Sequence, residues 1–138
     1  RSGLVRLSQL ILGANSLIQS IVRPALFETP QQYFTNLKHT LQGNAKILCD
    51  GLEKIPSLTV VHPEGAMYMM VGIKTECFKD IASDVEFASL LLTEENVVVL
   101  PAKIFLFPKY VRLVITPPKD KLEEAVLRIQ EFCARHHV

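Results

Sequence analysis

One stripe of apolar residues constrains this chain more than any other feature. Phe34, Leu37, Leu41, Ala45, Leu48, Leu52 and Ile55 recur at helical spacing, over roughly seven turns. Thr29-Pro30-Gln31-Gln32 stands ahead of the stripe as a helix start. The threonine hydroxyl is placed to accept from a first-turn amide, proline suits the first helical position, and Gln32 is placed to reach back. Gly43 weakens this helix by about 1 kcal/mol relative to alanine. A rod this long within 138 residues is expected to be a spine joining two bodies.

Ahead of the rod, Ser2 to Leu12 is apolar with few charges, and Gly13 breaks it. Asn15 or Ser16 can cap a second helix through Leu17, Ile18, Ile21 and Val22. Pro24 is expected to kink or end that helix, because it removes a donor and clashes with the preceding turn. Leu4, Val5, Leu7, Leu10, Ile11 and Leu12 cannot all face one small core. Two compatible readings follow: a buried helix pair, or a surface that packs against protein outside this chain. The chain begins at Arg1 rather than Met, which points to processing or to a piece of something longer.

After Pro56 the period changes. Leu58 to Val61 reads as a strand, and Pro63-Glu64-Gly65 as a turn. Ala66 to Val71 is a continuous apolar run, expected to be a strand covered on both faces. Ser83-Asp84-Val85-Glu86 is a capping box opening a helix with Phe87, Leu90 and Leu91. Val97 to Leu100 and Tyr110 to Thr116 read as strands. After Pro117-Pro118 comes an amphipathic helix with Leu122, Val126, Ile129 and Cys133 on one face and a Glu124–Arg128 pair at i,i+4. The order strand, strand, helix, strand, strand, helix is that of an α+β layer, a small sheet with helices on one side.

Composition excludes several classes. With 49% hydrophobic residues the chain is not disordered. Fifteen basic and 14 acidic residues give a net charge of +1 with no basic block, so neither nucleic acid nor a membrane is an expected partner. No apolar run approaches the ~20 residues that span a bilayer, and no secretory signal pattern is present. The three cysteines, Cys49, Cys77 and Cys133, are widely spaced. They read as free thiols in a reducing compartment rather than as a zinc site or disulfide framework.

Arg112 is the most informative residue. Within Tyr110-Val111-Arg112-Leu113-Val114-Ile115, alternation puts Val111, Leu113 and Ile115 on one face and Arg112 with Val114 on the other. A guanidinium among apolar neighbours needs an anion, and its fork matches a carboxylate through two parallel bonds. Three readings stand: an internal salt bridge, a ligand carboxylate, or an exposed arginine on an edge strand. Gly65 reads as a turn glycine or a point of close backbone approach. Tyr68 reads as a core aromatic or a site aromatic. Lys103 and Lys109 read as solvated loop lysines, although either resembles a Schiff-base lysine in position. His62 ends a strand, and the adjacent His136 and His137 point different ways, so they do not chelate as a pair. No metal-binding, nucleotide-binding or nucleophile-elbow motif is present.

Several segments together resemble the tyrosine aminotransferases, within the fold-type I pyridoxal-phosphate (PLP)-dependent family. They are Gly3-Leu4-Val5-Arg6-Leu7-Ser8-Gln9 with Ile11-Leu12-Gly13, then Pro63-Glu64-Gly65-Ala66-Met67-Tyr68-Met69-Met70-Val71-Gly72-Ile73, and Asp84-Val85-Glu86-Phe87. Val99-Leu100-Pro101-Ala102-Lys103-Ile104-Phe105, Pro108-Lys109-Tyr110-Val111-Arg112 and Arg128-Ile129-Gln130-Glu131-Phe132-Cys133 complete the set. The resemblance implies an α/β fold of the PLP-transferase type. It makes residues 1–29 the end of the large cofactor domain, 30–55 a long connecting helix, and 56–138 the small C-terminal α+β domain. It implies that Arg112 binds the substrate α-carboxylate. It implies a homodimeric, cytoplasmic or mitochondrial parent enzyme moving the amino group of an aromatic amino acid to 2-oxoglutarate. The Schiff-base lysine, the aspartate on the pyridine nitrogen and the stacking aromatic lie upstream in that family. No catalytic, cofactor-binding or metal residue is therefore expected in this chain, and the chain alone is expected to be inactive. A sister activity, an alanine-type aminotransferase or a carbon–sulfur lyase, is the alternative enzyme. A non-catalytic interaction module is the alternative from another class. The chain departs from the family at Ala102, at Ala14-Asn15-Ser16 and at Pro24, so no site role is assigned to Asn15 or Ser16.

Overall fold

The computed structural model describes residues 2–10 and 13–138, so the sequence readings at Arg1, Ile11 and Leu12 lie outside the described residues. The chain divides into two units, Arg1–Leu37 and Lys38–Val138. In the first, helix α1 covers Ser2–Ser8 and helix α2 covers Ser16–Phe27. Asn15 caps α2, its side-chain oxygen accepting from the Leu17 N–H at 2.9 Å. Pro24 does not end α2: the next turn closes behind it, with the Glu28 N–H donating to the Pro24 carbonyl at 2.8 Å. Neither helix buries a residue. The expected buried helix pair is therefore absent, and Leu4, Leu10, Leu26 and Phe27 are each at least 70% exposed.

Helix α3, Gln31–Leu52, runs through the division between the units. Its start differs from the expected cap. The Thr29 hydroxyl donates backward to the Ala25 carbonyl at 2.7 Å, and Gln32 bonds Asn36. The physical reason is that α2 ends two residues before Thr29, leaving last-turn carbonyls that need donors. The apolar stripe changes environment along the helix. Phe34 and Leu37 are exposed, whereas Leu48 and Leu52 are buried. The helix stops at Leu52, and Ile55 enters the core from the following turn, its N–H on the Leu52 carbonyl.

The second unit contains a four-stranded antiparallel sheet in the order β1-β2-β4-β3, with β1 Leu58–Val61, β2 Tyr68–Ile73, β3 Leu100–Pro101 and β4 Tyr110–Val114. Alternation sorts the side chains cleanly. Leu58, Met69, Val71, Ile73, Val111 and Leu113 enter one core with Leu48 and Leu52 of α3. Helix α4, Asp84–Glu95, adds Phe87 and Leu91, and helix α5, Lys119–His136, adds Leu122, Val126, Ile129, Phe132 and Cys133. The helices thus cover one face of the sheet.

The opposite face corrects the reading of the Ala66–Val71 run. On that face of β2, Tyr68 is exposed and Met70 is half-buried. A continuous apolar sequence does not by itself require two covers, because methionine and tyrosine tolerate a partly wet surface. Strand pairing also begins two residues later than the apolar run, at Tyr68, after Ala66 adopts a left-handed φ of 63°.

Local sequence signals explain the remaining elements. Ser83 accepts from the Glu86 N–H at 3.2 Å, and the Glu86 carboxylate reaches back to the Ala82 N–H at 2.8 Å. Asn96 ends α4 in the left-handed region, φ 54°, its N–H meeting the Leu91 and Leu92 carbonyls. The buried Asn44 donates to the Ile115 and Pro117 carbonyls at 2.8 and 3.0 Å, fastening α3 to the chain between β4 and α5. At the end of α5, the buried His136 ring lies between two carboxylates. Nδ1 is 2.8 Å from Asp80 and Nε2 is 3.1 Å from Glu94. Arg135 pairs with Glu94 and Glu95. His137 is exposed, as expected for a neighbour pointing elsewhere.

Candidate functional site

The exposed sheet face carries a row, Val61, Met70, Arg112 and Leu100, set by strand register. Arg112 therefore sits on β4 between β2 and β3, not on an edge strand. Its Nε is inaccessible and has no acceptor. Among the described residues no carboxylate pairs with it, although ion pairs form elsewhere on the surface. Its contacts are aromatic instead. The guanidinium carbon lies 4.8 Å from the Tyr68 ring centroid and 5.0 Å from that of Phe105. Both distances fall within cation–π range.

Each ring is delivered by a different device. Tyr68 pairs in register with Val114 and so lies diagonally across from Arg112 on the same face. Phe105 ends a 3₁₀ turn, Ala102–Phe105, that the chain enters at the end of β3. The buried Asp84 pins that turn, its Oδ2 accepting from the Lys103 N–H at 2.8 Å. Leu106, at φ 61°, closes the turn, with the Leu106 and Phe107 N–H groups on the Lys103 and Ala102 carbonyls. A leucine in that region stores roughly 1–2 kcal/mol of strain. Phe107 stacks on Tyr110 at 4.6 Å between centroids. The site is a cation with aromatic cover on a partly exposed sheet face, chemistry suited to a planar anion.

Of the other sequence candidates, Tyr68 is brought to this place and the rest are not. Gly65 occupies a turn with a negative φ and open space where a Cβ would stand, so the turn reading holds. Tyr68 lies beside the Arg112 guanidinium and outside the core. Lys103 and Lys109 are both exposed, as is every lysine among the described residues. No lysine among them is thus desolvated in a manner suited to holding an aldehyde cofactor such as PLP. The described residues do not by themselves fit that group. They also contain no cluster of metal-ligating side chains, and no helix among them is long and apolar enough to cross a membrane. Phe105 and Asp84 were not read as site residues from the sequence. Phe105 is a loop phenylalanine with no local mark, and Asp84 reads as an ordinary first-turn acid.

Comparison with known proteins gives this geometry a context. A family model described as aminotransferase class I and II matches residues 1–129. The tyrosine aminotransferase of Bos taurus is 44% identical over 137 residues, covering 99% of this chain and 31% of that protein. The tyrosine aminotransferase of Dictyostelium discoideum is 42% identical over 139 residues, covering 97% of this chain and 33% of that protein. Among solved structures, the tyrosine aminotransferase from Leishmania infantum superposes with a TM-score of 0.86 at 36% identity, covering 99% of this chain and 34% of that one. The chain spans less than two-thirds of each relative's length.

Proposed function

Because the chain belongs to the class I and II aminotransferase family, we propose that it is the part of such an enzyme that takes hold of the substrate's α-carboxylate through Arg112. The whole protein then moves the amino group of tyrosine, or of another aromatic amino acid, to 2-oxoglutarate. The family works with PLP, and the cofactor's attachment lysine belongs to a segment outside these residues. On this reading residues 1–29 end the large cofactor domain, 30–55 form the connecting helix, and 56–138 are the small domain. The parent protein works as a homodimer, and free thiols at Cys49, Cys77 and Cys133 suit the cytoplasm.

The observation that carries the proposal is Arg112 itself: a partly buried guanidinium, fixed on an inner strand, with no acid among the described residues paired with it. Such a charge costs several kcal/mol unless an anion meets it. An amino acid and the corresponding 2-oxo acid both keep a carboxylate, so one fork serves both half-reactions.

The test uses the longer protein with its upstream region and bound PLP. Tyrosine-dependent formation of glutamate from 2-oxoglutarate is expected, and Arg112→Ala is expected to lower kcat/KM by ~10²-fold or more, the scale of a lost charge-assisted pair. The isolated 138-residue chain is expected to form none. If Arg112→Ala reacts like the parent, Arg112 does not hold the substrate. If the cofactor-loaded parent forms no glutamate from tyrosine, the reaction is another one.

A further inference from the structure

A guanidinium has two flat faces and an edge of donors. Here two rings lie within cation–π range of the guanidinium carbon, Tyr68 at 4.8 Å and Phe105 at 5.0 Å, while Nε is buried without a partner. Only the terminal nitrogens are left to meet a ligand. An arginine side chain has much rotamer entropy to lose when it is ordered. Order already present before binding is not charged against affinity. We propose that Tyr68 and Phe105 are positioning residues that hold the Arg112 guanidinium by cation–π contact and aim its outer edge at the incoming carboxylate. Phe105 owes its place to Asp84, whose buried carboxylate binds the Lys103 amide and fixes the turn. The inference rests on the reading that Arg112 binds a substrate carboxylate.

The two rings are not equivalent. Tyr68 is rooted in β2, whose ladder with β4 fixes it relative to Arg112. Phe105 stands on a short turn that ends in a left-handed leucine. Its hold on the guanidinium is thus separable from the sheet, and substitution there reads positioning rather than folding. Phe105→Leu removes the π face and keeps the apolar bulk. Phe105→Tyr keeps the face.

The experiment measures binding to the PLP-loaded longer protein, with two probes of the same ring. One is 3-(4-hydroxyphenyl)propionate, which has the carboxylate; the other is 4-ethylphenol, which lacks it. Phe105→Leu is expected to weaken the carboxylate probe by roughly 5- to 30-fold, the size of a desolvated cation–π contact. It should leave 4-ethylphenol unchanged, and Phe105→Tyr should restore the first probe to within about 2-fold. In an Arg112→Ala background, Phe105→Leu should cost nothing more, since the group through which it acts is gone. Tyr68→Leu, at an exposed position, repeats the measurement from the second ring and stands in if Phe105→Leu does not fold. Equal losses with and without Arg112, or equal losses on both probes, would overturn the positioning role while leaving Arg112 as the carboxylate site. If Arg112→Ala alone leaves the carboxylate probe unaffected, the site reading falls and the positioning role falls with it.

Discussion

At the scale of single residues, two glycines of α3 have opposite expected responses to one methyl group. A Cβ on Gly51 would stand 2.4 Å from a Val126 methyl carbon of α5, so Gly51→Ala forces two packed helices apart and is expected to cost about 1–3 kcal/mol. A Cβ on Gly43 meets nothing within 4 Å, and Gly43→Ala is expected to stabilise by about 0.4–1 kcal/mol. Urea unfolding of the two variants checks both signs. Asn44 presents a third kind of dependence: its amide serves two carbonyls in the interior, and Asn44→Ala is expected to cost about 1–3 kcal/mol for the groups left unpaired. The cysteines differ in reactivity. Burial pushes the Cys133 thiol up to about 12, and Cys49 is likewise buried with its thiol raised. Cys77, half-buried, is expected to be the first labelled by a thiol reagent at pH 8 in the native protein. Mass mapping that finds Cys133 labelled before unfolding would contradict this.

At the scale of elements, the end of α5 is fastened by ionisation. Burial on its own lowers the His136 pKa, but hydrogen bonds to Asp80 and Glu94 and their charges outweigh it, so the pKa is raised above the usual 6.5. The geometry agrees, because only the imidazolium can donate from both ring nitrogens to two carboxylates. The raised folded-state pKa gives stability that is fully present below the unfolded value of about 6.5 and is lost as pH rises through the folded value. Glu94 has the opposite sign. Arg135 first, then His136, hold its pKa below the ordinary value, so its contribution is lost on acidification. The expected result is a Tm that declines as pH is raised from about 6.5 into the alkaline range, with α5 end amides exchanging faster. His136→Gln should flatten that alkaline slope and leave the acid limb sloping, with Glu94 still held by Arg135. A slope identical in the variant would show that His136 is not its source.

At the scale of the whole chain, the two units differ in kind. Residues 38–138 enclose a core that draws on three helices and one sheet face. Within residues 2–10 and 13–37, the described apolar side chains lie mostly in water, Leu10 at 79% and Phe27 at 80% exposed among them. Apolar surface of that extent marks an interaction face or an aggregation liability. The isolated 138-residue chain is therefore expected to associate on size-exclusion chromatography, and a chain cut to residues 38–138 to run as a monomer. A monomeric 138-residue chain would instead favour a self-sufficient module, and would weigh against the large-domain assignment of residues 1–29.

Periodicity alone determined much of this. The 3.6-residue stripe of α3, the Leu58–Val61 strand, the Ser83 cap and the buried face of α5 were all legible, because each is set by neighbours within a turn or two. Alternation also placed Arg112 opposite the core-facing Val111 and Leu113. Tertiary structure decided what local pattern does not encode. Thr29 turned from its expected cap to the preceding helix because that helix happens to end nearby. Tyr68 left the core because register with β4 put it beside a cation. Phe105 and Asp84 became parts of the site through a contact between positions 19 residues apart, Lys103 to Asp84. A sequence states which groups need partners; only the fold brings distant segments together and so decides which partner each one meets.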